Sequence, residues 1–139
     1  MNETPKFLAH ILIVDDYLLN REMARKMVEL SECDVDTAED AATALELLEE
    51  TTYDLIFMDV QMPVINGLEL TKIIRNLEKK KKQYTPIVAI TANTRPGAKE
   101  ECLSIGMDDY ISKPFTKNRL VQVLSKFLQE ETSPTSCNC

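Results

Sequence analysis

Five residues stand out by type and by place: Asp15, Asp16, Asp59, Thr91 and Lys113. Each follows or closes an apolar run. "ILIV" leads into Asp15-Asp16, "LIFM" into Asp59, "IVAI" into Thr91, and "YIS" into Lys113. A buried strand has no intrinsic need of a charge at its tip, so the repetition asks for a chemical reason. If the tips converge, three carboxylates repel one another and raise each other's pKa unless cations offset them. Lys113 offsets about one unit of charge and a divalent cation offsets the rest. With oxygen ligands only and an open site, Mg²⁺ is the natural guest, and Mn²⁺ can substitute. Magnesium keeps several waters and shares its shell readily with phosphate, so a phosphoryl group is the expected second occupant.

Taken singly, each residue has an ordinary structural reading. An aspartate at a strand end commonly serves a turn, and Asp16 could cap the following helix. Thr91 alone is unremarkable, and an isolated lysine is usually solvated. The joint pattern carries the reading.

The elements that must position these residues alternate along the chain. The strands are read at residues 9 to 14, at "CDVDTA", at "DLIFMD", at "PIVAIT" and at "DDYIS". The second is the least apolar and is expected at an edge. Between them fall helical patterns. Leu19, Met23, Met27 and Leu30 form one stripe, expected to face the core. "DAATALELLEE" is helical with Asp40 as N-cap. Pro63 and Gly67 punctuate the loop after the third strand. "NGLELTKIIRNL" carries a capping box at Asn66 and Glu69, with Leu70, Ile73, Ile74 and Leu77 inward. "TRPGAKEECLSIG" is a weak helix with Gly97 in its first turn, and the last helix buries Leu120, Leu124, Phe127 and Leu128.

Strict alternation with apolar central strands implies a parallel sheet covered on both faces. Right-handed crossovers then predict an α/β, flavodoxin-like, doubly wound (βα)5 three-layer sandwich, strand order 2-1-3-4-5. In that order strand one neighbours strand three, which neighbours strand four, and every strand ends along one edge. The five residues should therefore form a single pocket.

The chain has 139 residues, enough for one ordinary domain at 9–128 between a lead at 1–8 and a disordered tail at 129–139. Its formal charge of −7 argues against nucleic acid and anionic membrane surfaces as partners. No apolar stretch is long enough to insert into a bilayer and the start lacks a signal h-region, so a cytoplasmic location is expected. Cys33 and Cys102 are read as small buried hydrophobes, and Cys137 and Cys139 as part of the tail. The only histidine, His10, builds neither a zinc site nor histidine-based catalysis alone. The "EKKKKQY" stretch at 78–84 is read as a solvated helix end whose lysines suit the dipole.

The stretches "ILIVDDYLLN", "DLIFMDVQMPVINGLEL", "VAITAN" and "GMDDYISKPF" together resemble the receiver domain of two-component response regulators and hybrid histidine kinases. The likeness spans roughly residues 9 to 128, and "MDVQMPVINGLE" and "AITAN" look most like receivers attached to hybrid kinases. The resemblance implies that Asp59 is the phosphoacceptor, fed by a phosphohistidine of a histidine kinase or histidine phosphotransfer domain. It implies Asp16 and Asp59 as direct Mg²⁺ ligands, Asp15 as a ligand through water, and the main-chain carbonyl of Gln61 as a further ligand. Thr91 and Lys113 would contact phosphoryl oxygens, Tyr110 would be a rotating switch, and the Lys113-Pro114 peptide would be cis. The output surface would be the face of helix four, strand five and helix five, where two receivers could also pair. Gln61 and Asn93 would set the lifetime of the acyl phosphate.

Tyr17 stands where hybrid-kinase receivers often have Asn, and with Leu18 it begins helix one beside the acidic site. Local packing and docking of a phosphotransfer helix bundle are both open for this pair. A stand-alone response regulator is an alternative to a domain of a hybrid kinase, since no output segment follows Gln129. An Mg²⁺-dependent phosphohydrolase is a remoter one. Those enzymes carry an Asp-x-Asp pattern on strand one and a cap over the site, whereas here the acids are adjacent and no sequence is left for a cap. A module that works without phosphorylation should have lost the acid pair, Thr91 or Lys113, and all are present. The expected protein is therefore not an enzyme beyond catalysing its own modification and its reversal.

Overall fold

The computed structural model describes residues 9–92 and 95–128. The 1–8 lead, the 129–139 tail with Cys137 and Cys139, and Asn93 lie outside the described residues. The elements alternate as β1 (His10–Val14), α1 (Leu18–Glu29), β2 (Asp34–Ala38), α2 (Ala41–Glu50), β3 (Leu55–Asp59), α3 (Gly67–Lys81), β4 (Ile87–Thr91), α4 (Ala98–Ile105), β5 (Asp109–Ser112) and α5 (Lys117–Phe127). The strands form one parallel sheet in the order β2-β1-β3-β4-β5. This is the flavodoxin-like arrangement expected from the alternation, with the weakly apolar β2 at an edge.

Side chains that alternate along the central strands build two cores. Leu12, Val14, Ile56, Met58, Ile87 and Ala89 pack against α2, α3 and α4. Ile11, Ile13, Leu55, Phe57, Val88 and Ile90 point the other way, onto α1 and α5. Both faces of β3 and β4 are thus covered, which is why these strands read as unbroken apolar runs.

The helix starts follow local chemistry. The Asp40 carboxylate accepts the Thr43 N–H at 2.8 Å. Asn66 and Glu69 exchange their capping bonds at 2.9 and 3.1 Å, and Thr116 caps α5. Gly97 is the N-cap of α4 in a left-handed conformation, one position before the turn in which it was expected. Helix α1 starts from Tyr17 with no side-chain cap, so Asp16 does not cap it.

The expected burial face of α1 is not the one observed. Leu19, Met23 and Leu30 are exposed, and only Met27 of that stripe is partly buried against the core. The inward face of α1 carries Ala24 and Val28, followed by the buried Ser31. That stripe lies one residue along, about 100° round the helix. Periodicity detects an apolar stripe but does not tell which of two offset stripes meets the sheet, and the smaller residues allow the closer approach. In α3, Leu70 and Ile74 are buried as expected, while Leu77 lies largely at the surface. Leu120 and Leu124 are buried in α5, with Phe127 and Leu128 packed beside them.

The edge where β4 and β5 begin is held by Arg75 of α3. Its Nε donates to the Gly106 carbonyl at 2.9 Å, and Nη1 to the Thr85 carbonyl at 2.8 Å and the Glu78 carboxylate at 2.6 Å. Nη2 donates to Asp108 at 2.8 Å and to the Tyr84 hydroxyl at 3.2 Å. All five guanidinium protons are committed. Asp108 also accepts the Ile87 N–H at 2.8 Å, tying the start of β4 to the turn before β5.

Candidate functional site

The parallel register brings the strand tips level. Val14 pairs with Met58, Asp59 with Ile90, and Thr91 with Ser112. The ladder continues one step further, with Asp15 N–H donating to Ala38, Val60 N–H to Ile90 and Lys113 N–H to Thr91. Asp15, Asp59, Thr91 and Lys113 are therefore held by backbone bonds at the same edge.

Carboxylate oxygens of Asp15, Asp16 and Asp59 lie within 4.8 Å of one another. Asp15 and Asp59 are buried and Asp16 is exposed, so the cluster opens to solvent on the Asp16 side. The Lys113 Nζ lies 3.3 Å from Asp15 Oδ2 and 3.6 Å from Asp59 Oδ1. Main-chain N–H groups hold the same carboxylates, Tyr17 donating to Asp15 Oδ1 at 2.9 Å and Gln61 to Asp59 Oδ1 at 3.1 Å. Arg21 fixes the loop by donating to the Asp15 carbonyl at 2.8 Å.

Burial pushes the Asp59 carboxyl up to about 7. The Asp15 carboxylate adds to the rise; the Lys113 ammonium and the Gln61 N–H oppose it. One ammonium against three carboxylates leaves the site short of positive charge. The donor set is oxygen only, so these residues fit a hard divalent cation that retains water on its open side.

Thr91 is buried at the tip of β4. Tyr110 is partly buried on β5, packed against the core shared with α4. Gln61 is exposed and joins the site through its main chain. The Lys113-Pro114 peptide is cis. Cys33 and Cys102 are free, buried thiols, and burial pushes the Cys33 thiol up to about 11, away from reactivity. Among residues that sequence reading treated as structural, Gly67 proves to touch this site: its first-turn N–H donates to the Val60 carbonyl at 2.9 Å. Sequence alone marked it only as punctuation after β3.

The sequence profile of the response regulator receiver domain matches residues 11–125. This chain belongs to that family. The receiver is 39% identical over 128 residues to hybrid signal transduction histidine kinase B of Dictyostelium discoideum, covering 85% of this chain but only 6% of that protein. Among solved structures, it resembles the receiver domain of sensor histidine kinase PA1611 from Pseudomonas aeruginosa PAO1, described with magnesium coordinated in its active site cleft. That match has a TM-score of 0.76 and 34% identity, and covers 86% of this chain and 97% of the other. It also resembles a structure from Saccharomyces cerevisiae, the co-crystal of the histidine phosphotransfer protein Ypd1 with the receiver domain of the response regulator Ssk1. There the TM-score is 0.79 with 29% identity, covering 91% of both chains. Among the described residues of this receiver, no helix is long and apolar enough to cross a membrane.

Proposed function

We propose that the unit at residues 9–128 accepts a phosphoryl group from a phosphohistidine onto Asp59 and serves a phosphorelay, as the receiver of a hybrid histidine kinase. The observation that carries this is the cluster of three carboxylates with Lys113 against two of them. The similarity to a hybrid kinase over most of the chain favours that setting over a stand-alone regulator.

Asp15, Asp16, Asp59 and the Gln61 carbonyl would hold Mg²⁺, which screens the acceptor's charge and stabilises the equatorial oxygens of the transferring group. An Asp59 oxygen attacks phosphorus, and the phosphorus–nitrogen bond breaks with its electron pair going to the donor nitrogen. The ring, already protonated on its other nitrogen, leaves as neutral imidazole. Lys113 and Thr91 bind phosphoryl oxygens in the product, a mixed anhydride. Water attacking phosphorus returns the free carboxylate and releases inorganic phosphate, with Gln61 and Asn93 setting the rate of that reset.

The phosphoryl group adds about −1.5 to −2 charges beside Thr91. Thr91 follows the new acceptor inward and Tyr110 turns into the vacated space. The face of α4, β5 and α5 then changes its population of states, and it is also the face on which two receivers could pair. A coupling of about 1–3 kcal/mol suffices for such a switch.

The phosphodonor docks on α1. Tyr17, Leu18, Leu19 and Met23 are all exposed there, Leu18 by 61%. A groove of about 250 Å³ lined by Met23, Ala92, Lys113, Pro114 and Phe115 runs from this face to the site. A histidine phosphotransfer helix bundle suits the surface, and the Ypd1–Ssk1 neighbour supports that class of partner. Treatment with acetyl phosphate and Mg²⁺, followed by peptide mass spectrometry, should find an acyl phosphate on Asp59. A protein left unmarked, or marked elsewhere, would refute this assignment.

A further inference from the structure

The first turn of α3 lies against the stretch of chain that supplies both the acceptor and the Gln61 carbonyl. A Cβ built on Gly67 would lie 2.3 Å from the Asp59 carbonyl oxygen and 2.9 Å from the Val60 Cα. Both are backbone atoms, so no rotamer change relieves the contact. Gly67 N–H donates to the Val60 carbonyl at 2.9 Å, and Val60 N–H donates to Ile90 at 3.1 Å. The strand end is thus pinned between α3 on one side and β4 on the other. The helix is fixed in turn. The Asn66–Glu69 box closes its N-terminus, and the fully buried Thr71 hydroxyl donates to the Gly67 carbonyl at 2.8 Å.

We infer that Gly67 is a positioning residue for the acceptor site: the absence of its side chain lets α3 hold residues 59–61 where the Asp59 carboxylate and the Gln61 carbonyl can serve one cation. A methyl at position 67 needs more than half an ångström of extra room, which only movement of the strand end or the helix start can supply. Movement of the strand end, to which the helix start is bonded through the Val60 carbonyl, changes the separation of Asp59 from Asp15 and Asp16, which follow β1 and do not move with α3. The turn conformation of Gly67 itself is ordinary; closeness to Asp59 is what demands glycine here.

The inference rests on the proposed metal and phosphoryl site, and its test separates the two. Calorimetric titration with Mg²⁺ and labelling by acetyl phosphate are run on the parent chain, Gly67→Ala and Thr71→Val. A parent that neither binds nor is labelled defeats the reading of the site. Where the parent does both, Gly67→Ala is expected to weaken Mg²⁺ binding and slow labelling by about 10-fold or more. Thr71→Val loosens the same turn without pushing on Asp59, so it should lower Tm yet keep Mg²⁺ affinity within about 2-fold of the parent. Equal losses of affinity in both variants would reduce Gly67 to a general stability role and overturn the inference. So would parental affinity in a folded Gly67→Ala. If Gly67→Ala does not fold in buffer alone, it and the parent are titrated together in an excluded osmolyte such as trimethylamine N-oxide. The same weakening of Mg²⁺ binding is then expected, and parental affinity overturns the inference.

Discussion

The Lys113 ammonium lies 3.6 Å from Asp59 Oδ1, the same oxygen that accepts the Gln61 N–H. The proposed acceptor therefore carries a fixed positive neighbour before any phosphoryl group arrives. Lys113→Met should slow labelling by acetyl phosphate about 10²–10³-fold, the scale for losing one preorganised charge partner. Because Lys113 lowers the acceptor's pKa, the same change should move the Asp59 titration upward, as followed by carboxyl NMR.

Mg²⁺ affinity should depend on pH. Burial raises the Asp59 carboxyl to about 7, so a proton must leave before a cation binds. Affinity should fall roughly tenfold per pH unit below about 7 and level off above it. Titration calorimetry in buffers of different ionisation enthalpy would count the released proton. A flat profile from mildly acid to alkaline pH would contradict the raised acceptor.

Asp59→Asn removes the acceptor and should abolish labelling. It also bears on stability, with a definite sign. A carboxyl that binds its proton more tightly folded than unfolded stabilises the fold fully below the ordinary carboxyl range, and this contribution is lost as pH rises toward about 7. Without metal, Asp59→Asn should therefore raise Tm at neutral and alkaline pH, by about 3–6 °C per kcal/mol of relief. It should do little in acid. Chelator-treated samples in a thermal melt provide the check.

On α1, Leu18→Ala should slow transfer from a phosphohistidine protein several-fold while leaving labelling by acetyl phosphate unchanged. The residue is 61% exposed and bonds no part of the acid cluster. Equal rates with the protein donor would remove α1 from the docking surface.

Arg75→Ala should destabilise the fold by about 3–5 kcal/mol, since it strands the half-buried carboxylates of Glu78 and Asp108 and the Gly106 and Thr85 carbonyls. Urea unfolding would measure it. Mg²⁺ binding in the surviving folded fraction should change little, because the clasp lies at the sheet edge opposite Asp59.

The sheet order and the acid pocket were legible because both are written in local sequence. Apolar runs that end in Asp59, Thr91 or Asp15-Asp16 mark strand and tip together, and alternation with helices fixes which tips are neighbours. The caps at Asp40 and Asn66 were legible for the same reason. What escaped depends on distance across the fold. The burial face of α1 required knowing which side meets the sheet, and Ala24 gives a weaker signal than Leu19. The Arg75 clasp reaches the Gly106 carbonyl 31 positions away, and no side-chain pattern announces a main-chain acceptor. Gly67 looked like a loop breaker because its constraint comes from the backbone of another element.

Helix α1 turns its small residues inward and its large ones outward. In the proposed docking, recognition and folding are thereby inscribed on separate positions of one segment. Leu18, Leu19 and Met23 can drift to suit a new donor while Ala24 and Val28 keep the architecture, so insulation between parallel signalling routes can evolve without risking the scaffold.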